Sequence, residues 1–173
     1  MAATGSLPVT PSDGNTRVLL VPAIADETAP TVTELTGAGV VDISCYLTVD
    51  GLAATLDEAQ ISIDLLCSRV TRQEPGRVTP SLTFTGVDNT NTDYEDDFNE
   101  LVDALTYLSI WYVVIRRGLP FEDAIAAGQK VTVLKGKAGM KQLVASEANS
   151  FQRSTWNMNA ASYNPDVAVV AGS

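Results

Sequence analysis

An alternation of apolar and polar residues between Val40 and Gly86 constrains the fold of this chain most strongly. Three stretches within this segment, 41–49, 59–67 and 81–85, place an apolar side chain at every second position. Successive side chains of a β-strand point to opposite faces, so this spacing predicts strands with one apolar and one polar face. Antiparallel sheets commonly leave one face in water. The segment therefore predicts an antiparallel sheet with one hydrophilic face.

Other strands are predicted by short apolar runs outside this segment, at 17–21, 109–116, 130–136 and 151–158. The stretch 109–116 is apolar at most positions, which predicts a central strand buried on both faces. The residues before the alternating segment, 24–39, contain Pro30 and two late glycines and are expected to form an irregular connection.

One helix is predicted over 93–108. Apolar residues from Phe98 to Leu108 recur at helical spacing, and Asp93 is a suitable N-cap at the start of an acidic first turn. Together these elements predict a mainly β (α+β) fold, an antiparallel β-sandwich or barrel with one flanking helix.

The chain has 173 residues, 45% of them hydrophobic, which is enough for one domain with an ordinary core. Residues 1–16 are rich in small and polar types and predict a flexible N-terminal arm, followed by a single domain over 17–173. Residues 160–173 predict either a final edge strand or a C-terminal arm. No apolar run has the length of a membrane span and the N-terminus has no export signal, so a soluble, unexported chain is expected.

Two turns are predicted within the alternating segment. Asp50-Gly51 is a turn signal, and the residues from there to Glu58 are expected to hold a bulge or a short loop. Pro75-Gly76 has the signature of a type II turn at the tip of a projecting hairpin over 67–77. The charged residues of this hairpin are Arg69, Arg72, Glu74 and Arg77. We expect these residues either to form ion pairs with a neighbouring subunit or simply to lie in an exposed loop.

The charge distribution argues against tight binding to nucleic acid. Acidic residues outnumber basic ones by 21 to 11, for a net charge of −10, and neither 18–68 nor 78–115 contains a Lys or Arg. Affinity for DNA comes largely from basic residues that displace counterions from phosphates. Such a chain could still enclose DNA without gripping it, while the simpler interpretation is a solvated acidic surface.

The sequence contains no histidine, so it lacks the commonest general base and the commonest transition-metal ligand. Cys45 and Cys67 lie in apolar, strand-like surroundings and predict buried structural thiols rather than a zinc site or disulfide. The acidic run at 88–97 lacks the spacing of a calcium loop and is better explained as a helix start. No phosphate-binding loop is present. We therefore expect no metal, no cofactor and no enzymatic activity.

Several motifs of the alternating segment resemble a known family. VDISCYLTVDGL, TLDEAQISID, LCSR, QEPGR and SLTFTG, preceded by NTRVLLVPAI and APTVTELT, are similar to major tail tube proteins of bacteriophages with long, non-contractile tails, particularly those of actinobacteria. The resemblance covers about the first half of the chain. It implies a β-sandwich or barrel-like subunit that forms six-membered rings, which stack into a hollow tube of the virion after synthesis in the host cytoplasm.

The resemblance also implies partners and a role for the polar face. The subunit would bind copies of itself, the tape-measure protein, and tail terminator and tail-tip proteins, while genomic DNA would pass through without tight binding. The residues expected to face the lumen are polar or acidic: Asp42, Ser44, Asp50, Gln60, Ser62, Asp64, Ser81, Thr83 and Thr85. Arg69, Arg72, Glu74 and Arg77, together with the terminal arms, are expected to contact other subunits.

Other functions fit the same features. Another virion β-domain, such as a capsid decoration or head-to-tail joining protein, would share the acidity and the missing catalytic groups. A type VI secretion tube protein would share the architecture outside a virus. A small carbohydrate- or protein-binding β-sandwich is a further alternative, and an esterase or protease is the least favoured because the chain lacks histidine.

Overall fold

The computed structural model describes residues 7–172, which contain eight strands and two short helices. They are β1 (Thr16–Val21), α1 (Val32–Thr36), β2 (Val41–Asp42), β3 (Leu47–Ile63), β4 (Arg72–Val87), α2 (Glu100–Ala104), β5 (Ile110–Arg117), β6 (Lys130–Ala138), β7 (Gln142–Leu143) and β8 (Arg153–Ala168). All the pairings between these strands are antiparallel. The mainly β, antiparallel fold predicted from the sequence is confirmed. No helix among these residues is long and apolar enough to cross a membrane.

The strands form one sheet in the order β2-β1-β5-β6-β8-β4-β3, with β7 paired to β8. β2 and β3 stand at opposite ends of this order, yet only residues 43–46 separate them along the chain. So short a connection spans less than about 20 Å, so the two ends of the sheet must meet. Backbone hydrogen bonds from Ile43 to Val18, at 3.0 Å, and from Val87 to Tyr46, at 2.9 Å, hold this junction. The sheet therefore curls into a barrel.

Two apolar clusters lie on opposite faces of the barrel wall. The inner cluster joins residues from strands that are distant in the sheet order, with α2 at its edge: Val18, Leu20, Ile43, Leu82, Phe84, Leu101, Leu105, Val113, Ile115, Leu134, Ala138, Trp156 and Met158. The outer cluster lies beneath α1: Leu19, Val21, Ile24, Leu35, Val114, Ile125, Val131, Val133 and Val169. β5 contributes to both clusters, which confirms it as a central strand buried on both faces.

The helix predicted over 93–108 is wrong in its extent, because only Glu100–Ala104 is helical. Polar side chains of the preceding loop bond to local backbone groups instead: the Asn91 amide donates to Glu95 Oε2 at 2.7 Å. Such bonds compete with helix formation. The Asn99 side chain accepts a hydrogen bond from Asn89, 3.1 Å away, and leaves the helix without a side-chain cap. Leu108 has a φ of 68°, which is incompatible with an α-helix, so the helix does not continue through this residue.

The first alternating strand is interrupted, and the turn predicted at Asp50-Gly51 is wrong. β2 stops at Asp42 because the Asp42 carboxylate accepts a hydrogen bond from the Ser44 amide at 3.0 Å, which bends the chain. β3 then runs without a break through Asp50 and Gly51. A register shift between Leu47 and Leu52 accommodates these residues. A Cβ at position 51 would lie 2.0 Å from the Thr85 carbonyl oxygen, so glycine is needed there for close strand contact.

Three further features differ from the sequence prediction. Cys45 and Cys67 are exposed, because one lies in the turn that closes the barrel and the other in a hairpin loop. The connection over 24–39 contains α1, capped by Thr31 and Glu34 in a capping box. The tail neither forms a separate edge strand nor leaves as an arm through residue 172, since it lengthens β8 to Ala168 and then packs against 30–33.

Candidate assembly surface

The hairpin formed by β3 and β4 extends beyond the barrel wall. β4 pairs with β8 only from Ser81 to Val87, and its earlier residues pair with β3 alone. We call residues 56–80 the distal hairpin, from the Leu56–Pro80 pair to the connecting loop at 64–71. Within residues 7–172 no other strand pairs with either of its edges. Unpaired strand edges of this length are a template for pairing with another chain.

One face of β3, β4 and β8 carries a continuous set of uncharged polar side chains, which we call the polar ladder. Its members are Thr55, Ser81, Thr83, Thr85, Thr155, Asn157 and Asn159. Hydroxyl pairs connect Thr55 with Ser81 at 2.6 Å and Thr85 with Thr155 at 2.9 Å. The Thr83 hydroxyl donates to Asn157 Oδ1 at 3.0 Å. Cross-strand polar pairs of this kind stabilise the sheet while leaving the face wet.

The opposite face of the same strands is the barrel core. Leu82, Phe84, Trp156 and Met158 alternate with ladder residues and are all at most 1% exposed. This burial determines the register, because a slip of one residue would exchange the two faces. The sequence alternation therefore identified the correct kind of surface for 81–85. The same alternation exists in β8, where Trp156 and Met158 separate the polar residues, but the sequence prediction did not draw on it.

The structure brings together only some of the nine residues expected to face a lumen. Ser81, Thr83 and Thr85 belong to the polar ladder, whereas Gln60 and Ser62 lie in the distal hairpin and Asp64 in its loop, bonded to Thr71 at 2.7 Å. The nine residues therefore do not form one surface. Asp50 lies in the irregular start of β3.

The two remaining members of that set, Asp42 and Ser44, stabilise the junction that closes the barrel. Asp42 forms an ion pair with Arg17, with 2.8 Å between Arg17 Nε and Asp42 Oδ2. The Ser44 hydroxyl accepts a hydrogen bond from the Val18 amide at 2.9 Å. Both side chains are thereby used within the subunit, next to the inner cluster.

The four charged residues predicted to contact other subunits are exposed on the hairpin. Arg69 lies in the loop, while Arg72, Glu74 and Arg77 belong to β4. None of them takes part in an ion pair among residues 7–172. The turn predicted at Pro75-Gly76 is wrong: Pro75 pairs with Gln60 inside the strand, next to a register shift. A Cβ at position 76 would lie 2.7 Å from the Ala59 carbonyl oxygen, which explains the glycine.

The loop of the distal hairpin also exposes apolar side chains. Leu65, Leu66 and Val70 are 52%, 108% and 69% exposed. A loop that combines such residues with Arg69, which has no ion-pair partner among the described residues, has the composition of a contact region rather than of a purely solvated turn.

A buried carboxylate anchors the long loop that follows β4. Asp88 is 6% exposed and accepts hydrogen bonds from the Ser154 hydroxyl, from Thr90 Oγ1 at 2.6 Å and from Lys141 Nζ at 3.0 Å. Burial by itself would raise the pKa of Asp88, but these hydrogen bonds outweigh it and hold the pKa well below its usual range. The group therefore serves structure, since it is fully satisfied by fixed partners.

Comparison with known proteins places the chain in a family. The sequence profile of the family described as phage tail tube protein matches residues 5–173. The chain belongs to this phage tail tube protein family, and it is a structural protein of a phage tail. No curated protein matches its sequence.

A solved structure supports the same fold. The fold is similar to that of a chain in the cryo-EM structure of the anti-feeding prophage (AFP) baseplate, which was six-fold symmetrised. The two chains are 15% identical, with a TM-score of 0.51, over 92% of this chain and 96% of the other. The family and this fold together define a component of a multi-subunit tail assembly.

Proposed function

We propose that six copies of this chain form a ring and that the rings stack into the hollow tube of a phage tail. The observation that carries the proposal is the distal hairpin, which projects from a closed barrel and has both strand edges unpaired among residues 7–172. In a closed ring each open edge is covered by the neighbouring subunit, which removes the risk of uncontrolled edge-to-edge aggregation. The six-fold symmetrisation of the structurally similar baseplate supports six as the number of subunits.

The polar ladder is the part of the surface best suited to line the tube. Its hydroxyl and amide groups carry no charge, and the whole chain is acidic, at −10. The ladder itself contains no lysine or arginine, although Lys137 and Arg153 flank it on the same face, so passing DNA would release few counterions against the ladder and bind it weakly. Weak binding allows DNA to slide to the host without being trapped.

The partners in this proposal are further copies of the chain, a tape-measure protein, and tail terminator and tail-tip proteins. The chain would be made in the host cytoplasm and would act in the virion without catalysing a reaction. The lack of histidine supports a structural role. A long, non-contractile tail remains the prediction from the motifs of residues 40–86.

Shortening the hairpin tests the proposal directly. Replacing residues 58–78 by Asn-Gly keeps the Asp57–Thr79 pair and supplies a two-residue turn that suits an antiparallel hairpin. The shortened protein should fold, since the barrel core is untouched, but should stay monomeric by electron microscopy and sedimentation. The unaltered protein should form six-fold rings or tubes under the same conditions. Tubes of normal appearance from the shortened protein would refute the assembly proposed here.

A second variant tests the arginines of the hairpin. Arg69→Glu with Arg72→Glu reverses charges that have no ion-pair partner within the described subunit. The subunit should keep its melting temperature, whereas tube growth should stop. Tubes of normal length from this variant would show that the two arginines are only solvated.

A further inference from the structure

Apolar side chains are exposed where β5 begins and β6 ends. Four of them, each more than half exposed, make up what we call the apolar patch: Tyr107, Leu108, Ile110 and Met140. The two segments that carry them are held together by backbone hydrogen bonds, from Leu108 to the Ala138 carbonyl at 3.0 Å and from Ala138 to the Ser109 carbonyl at 2.8 Å. Exposed apolar residues that occur together mark contact surfaces, whereas isolated ones need no explanation.

The backbone of Leu108 is strained. Its φ of 68° lies in the left-handed region, where the Cβ approaches the following carbonyl oxygen and where glycine or asparagine is usual. Leu108 is nevertheless 52% exposed, so packing within its own subunit does not account for a leucine at this position. Strain of this kind is found at sites of function, where other interactions maintain it. The strain and the exposure together indicate that Leu108 contacts something outside the subunit.

The apolar patch and the loop of the distal hairpin lie on opposite sides of one row of paired residues. Ser81 of β4 pairs with Asn159, which also pairs with Lys137. Lys137 in turn pairs with Ile110, the first residue of β5. From this row β4 runs back to Arg72, about 30 Å along an extended strand. Because the strands are antiparallel, residues before Ile110 and after Lys137 extend the other way, so the loop is directed away from the patch of its own subunit.

The loop of the distal hairpin is suited to cover such a patch. It exposes the three apolar side chains described above, and Arg69 and the adjacent Arg72 have no ion-pair partner among the described residues. The helix α2, which directly precedes the patch, exposes Glu100 and Asp103. The loop before α2 adds four acidic residues within 93–97. The hairpin loop therefore matches the patch in apolar character and its surroundings in charge.

The lysines near the patch do not cancel this acidic character. Lys141 is bound to Asp88, with 3.0 Å between Lys141 Nζ and Asp88 Oδ2, which leaves Lys137 as an exposed cation in the segment 137–141. No lysine or arginine occurs between 78 and 115. Acidic side chains therefore outnumber cations around the patch.

We propose that the apolar patch of one copy receives the hairpin loop of a second copy. The inference rests on the proposed assembly and adds to it the surface that the hairpin binds. Burial of apolar side chains on both partners drives this contact, and the arginines and acids select the orientation. Because the loop and the patch lie on opposite sides of each subunit, the contact is heterologous, with each copy offering its loop to one neighbour and its patch to another. Successive copies therefore point in the same direction.

The native thiol of the hairpin loop makes this contact testable. Cys67 is exposed in the loop, Cys45→Ser removes the other thiol, and Met140→Cys places a new thiol in the patch. The assembled protein is oxidised with copper phenanthroline and examined on a non-reducing gel. A disulfide forms only where the two Cβ atoms come within about 4.5 Å. Bonds between Cys67 and position 140 should therefore join successive copies into a ladder of dimers, trimers and larger products.

Two controls separate this ladder from unspecific oxidation. Cys45→Ser alone keeps one thiol in each copy and can give dimers at most. Cys45→Ser with Leu119→Cys places a second thiol in the exposed loop after β5, away from the patch, and should give no ladder. Tyr107→Cys repeats the test at a second position of the patch. Tubes without a ladder from both patch variants, or with equal ladders from the patch variants and Leu119→Cys, would overturn the inference and leave the tube proposal intact.

Leu108→Asn distinguishes a contact outside the subunit from packing within it. Asparagine tolerates a positive φ, so the melting temperature of the subunit should stay the same or rise. The protein concentration needed for tube growth should rise at least about tenfold, because the contact loses an apolar side chain. Leu119→Asn makes the same change at another exposed leucine and should alter neither quantity.

Either of two results for Leu108→Asn would overturn the inference. A fall in melting temperature would assign Leu108 to packing in its own subunit, and unchanged tube growth would show that the patch is not used. Failure of the unaltered chain to form any ring or tube would overturn the proposed function together with this inference.

Discussion

Single buried polar residues position the loops of this barrel, and Asp88 is the clearest case. Its carboxylate joins the end of β4 to the start of β8 through Ser154, and to Lys141 beyond β6. Arg116 does the same at the other end of the barrel, where its guanidinium donates hydrogen bonds to the carbonyls of Pro120 and Asp123. Buried groups whose hydrogen bonds hold loops in this way are costly to remove.

Replacing Asp88 should destabilise the subunit and change its response to acid. Asp88→Ala should lower the free energy of unfolding at pH 7 by about 2 kcal/mol, because buried Ser154 loses its partner and Lys141 its counter-charge. The pKa of Asp88 is lower in the folded than in the unfolded state, so its contribution is complete above the unfolded pKa. The contribution is lost as the pH falls from about 5 towards the folded pKa.

Chemical denaturation between pH 7 and pH 2 measures both effects. The variant should lose less stability on acidification than the unaltered protein does, so the two curves should converge at low pH. Asp96→Ala, in the exposed part of the same loop, is the control and should change neither quantity. Parallel curves for Asp88→Ala and the unaltered protein would contradict the assigned role.

Arg116 and its neighbour provide a matched pair of substitutions. Arg116 is 1% exposed, whereas Arg117 is exposed on the adjacent position of β5. Arg116→Met should cost about 3 kcal/mol of stability, since it leaves several loop carbonyls without donors. Arg117→Met should change the melting temperature little. Equal effects of the two substitutions, measured by thermal unfolding, would show that the loop over 118–129 does not depend on the buried guanidinium.

At the scale of the elements, glycines inside strands explain why the two predicted turns are absent. Gly51 and Gly76 each lie where the neighbouring strand leaves no room for a Cβ, next to a register shift of the β3–β4 pair. In sequence, Asp-Gly and Pro-Gly look like turns because both pairs suit turn conformations. In the hairpin they allow bulges instead, which keep β3 and β4 paired over their whole length.

A substitution at Gly51 tests this explanation. Gly51→Ala should destabilise the subunit by about 2 kcal/mol, because the new Cβ would meet the Thr85 carbonyl and β3 would have to move. Ala53→Ser, at an exposed position two residues along the same strand, is the control and should be nearly neutral. Equal stability of the two variants in urea would show that the strands separate easily here.

At the scale of the whole molecule, passage of DNA through the tube depends on whether the polar ladder faces the lumen or the outer surface. Asn157→Lys would add a positive charge to the ladder in every subunit, which should create salt-dependent retention of double-stranded DNA in assembled tubes. The retained DNA should be protected from nuclease if the ladder lines the lumen. Ala126→Lys, on the exposed loop next to the outer cluster, should retain only nuclease-sensitive DNA. Nuclease-sensitive DNA on both variants would place the ladder outside the tube.

The sequence predicted most of the strands and only part of the candidate site. The alternation at 81–85 identified a strand with a wet face, and the run at 109–116 identified a central strand, because both patterns depend on local periodicity. The alternation pattern gave a wrong prediction for Asp42 and Ser44, because a local hydrogen bond ends the strand there. The sequence also gave no sign of the ladder residues of β8, since their place beside β4 depends on strand pairing between residues 70 or more positions apart.

By itself, the sequence determined the class of fold, the two-faced character of the strands and the family, because these follow from local composition and spacing. Only the tertiary structure decided that the ends of the sheet meet across residues 43–46, that Gly51 and Gly76 lie within a long hairpin, and that Cys45 and Cys67 are exposed. Each of these depends on contacts between residues far apart in the chain. In the part of the chain that the structure describes, the same contacts leave the edges of the distal hairpin unpaired, which is the feature that the proposed assembly uses.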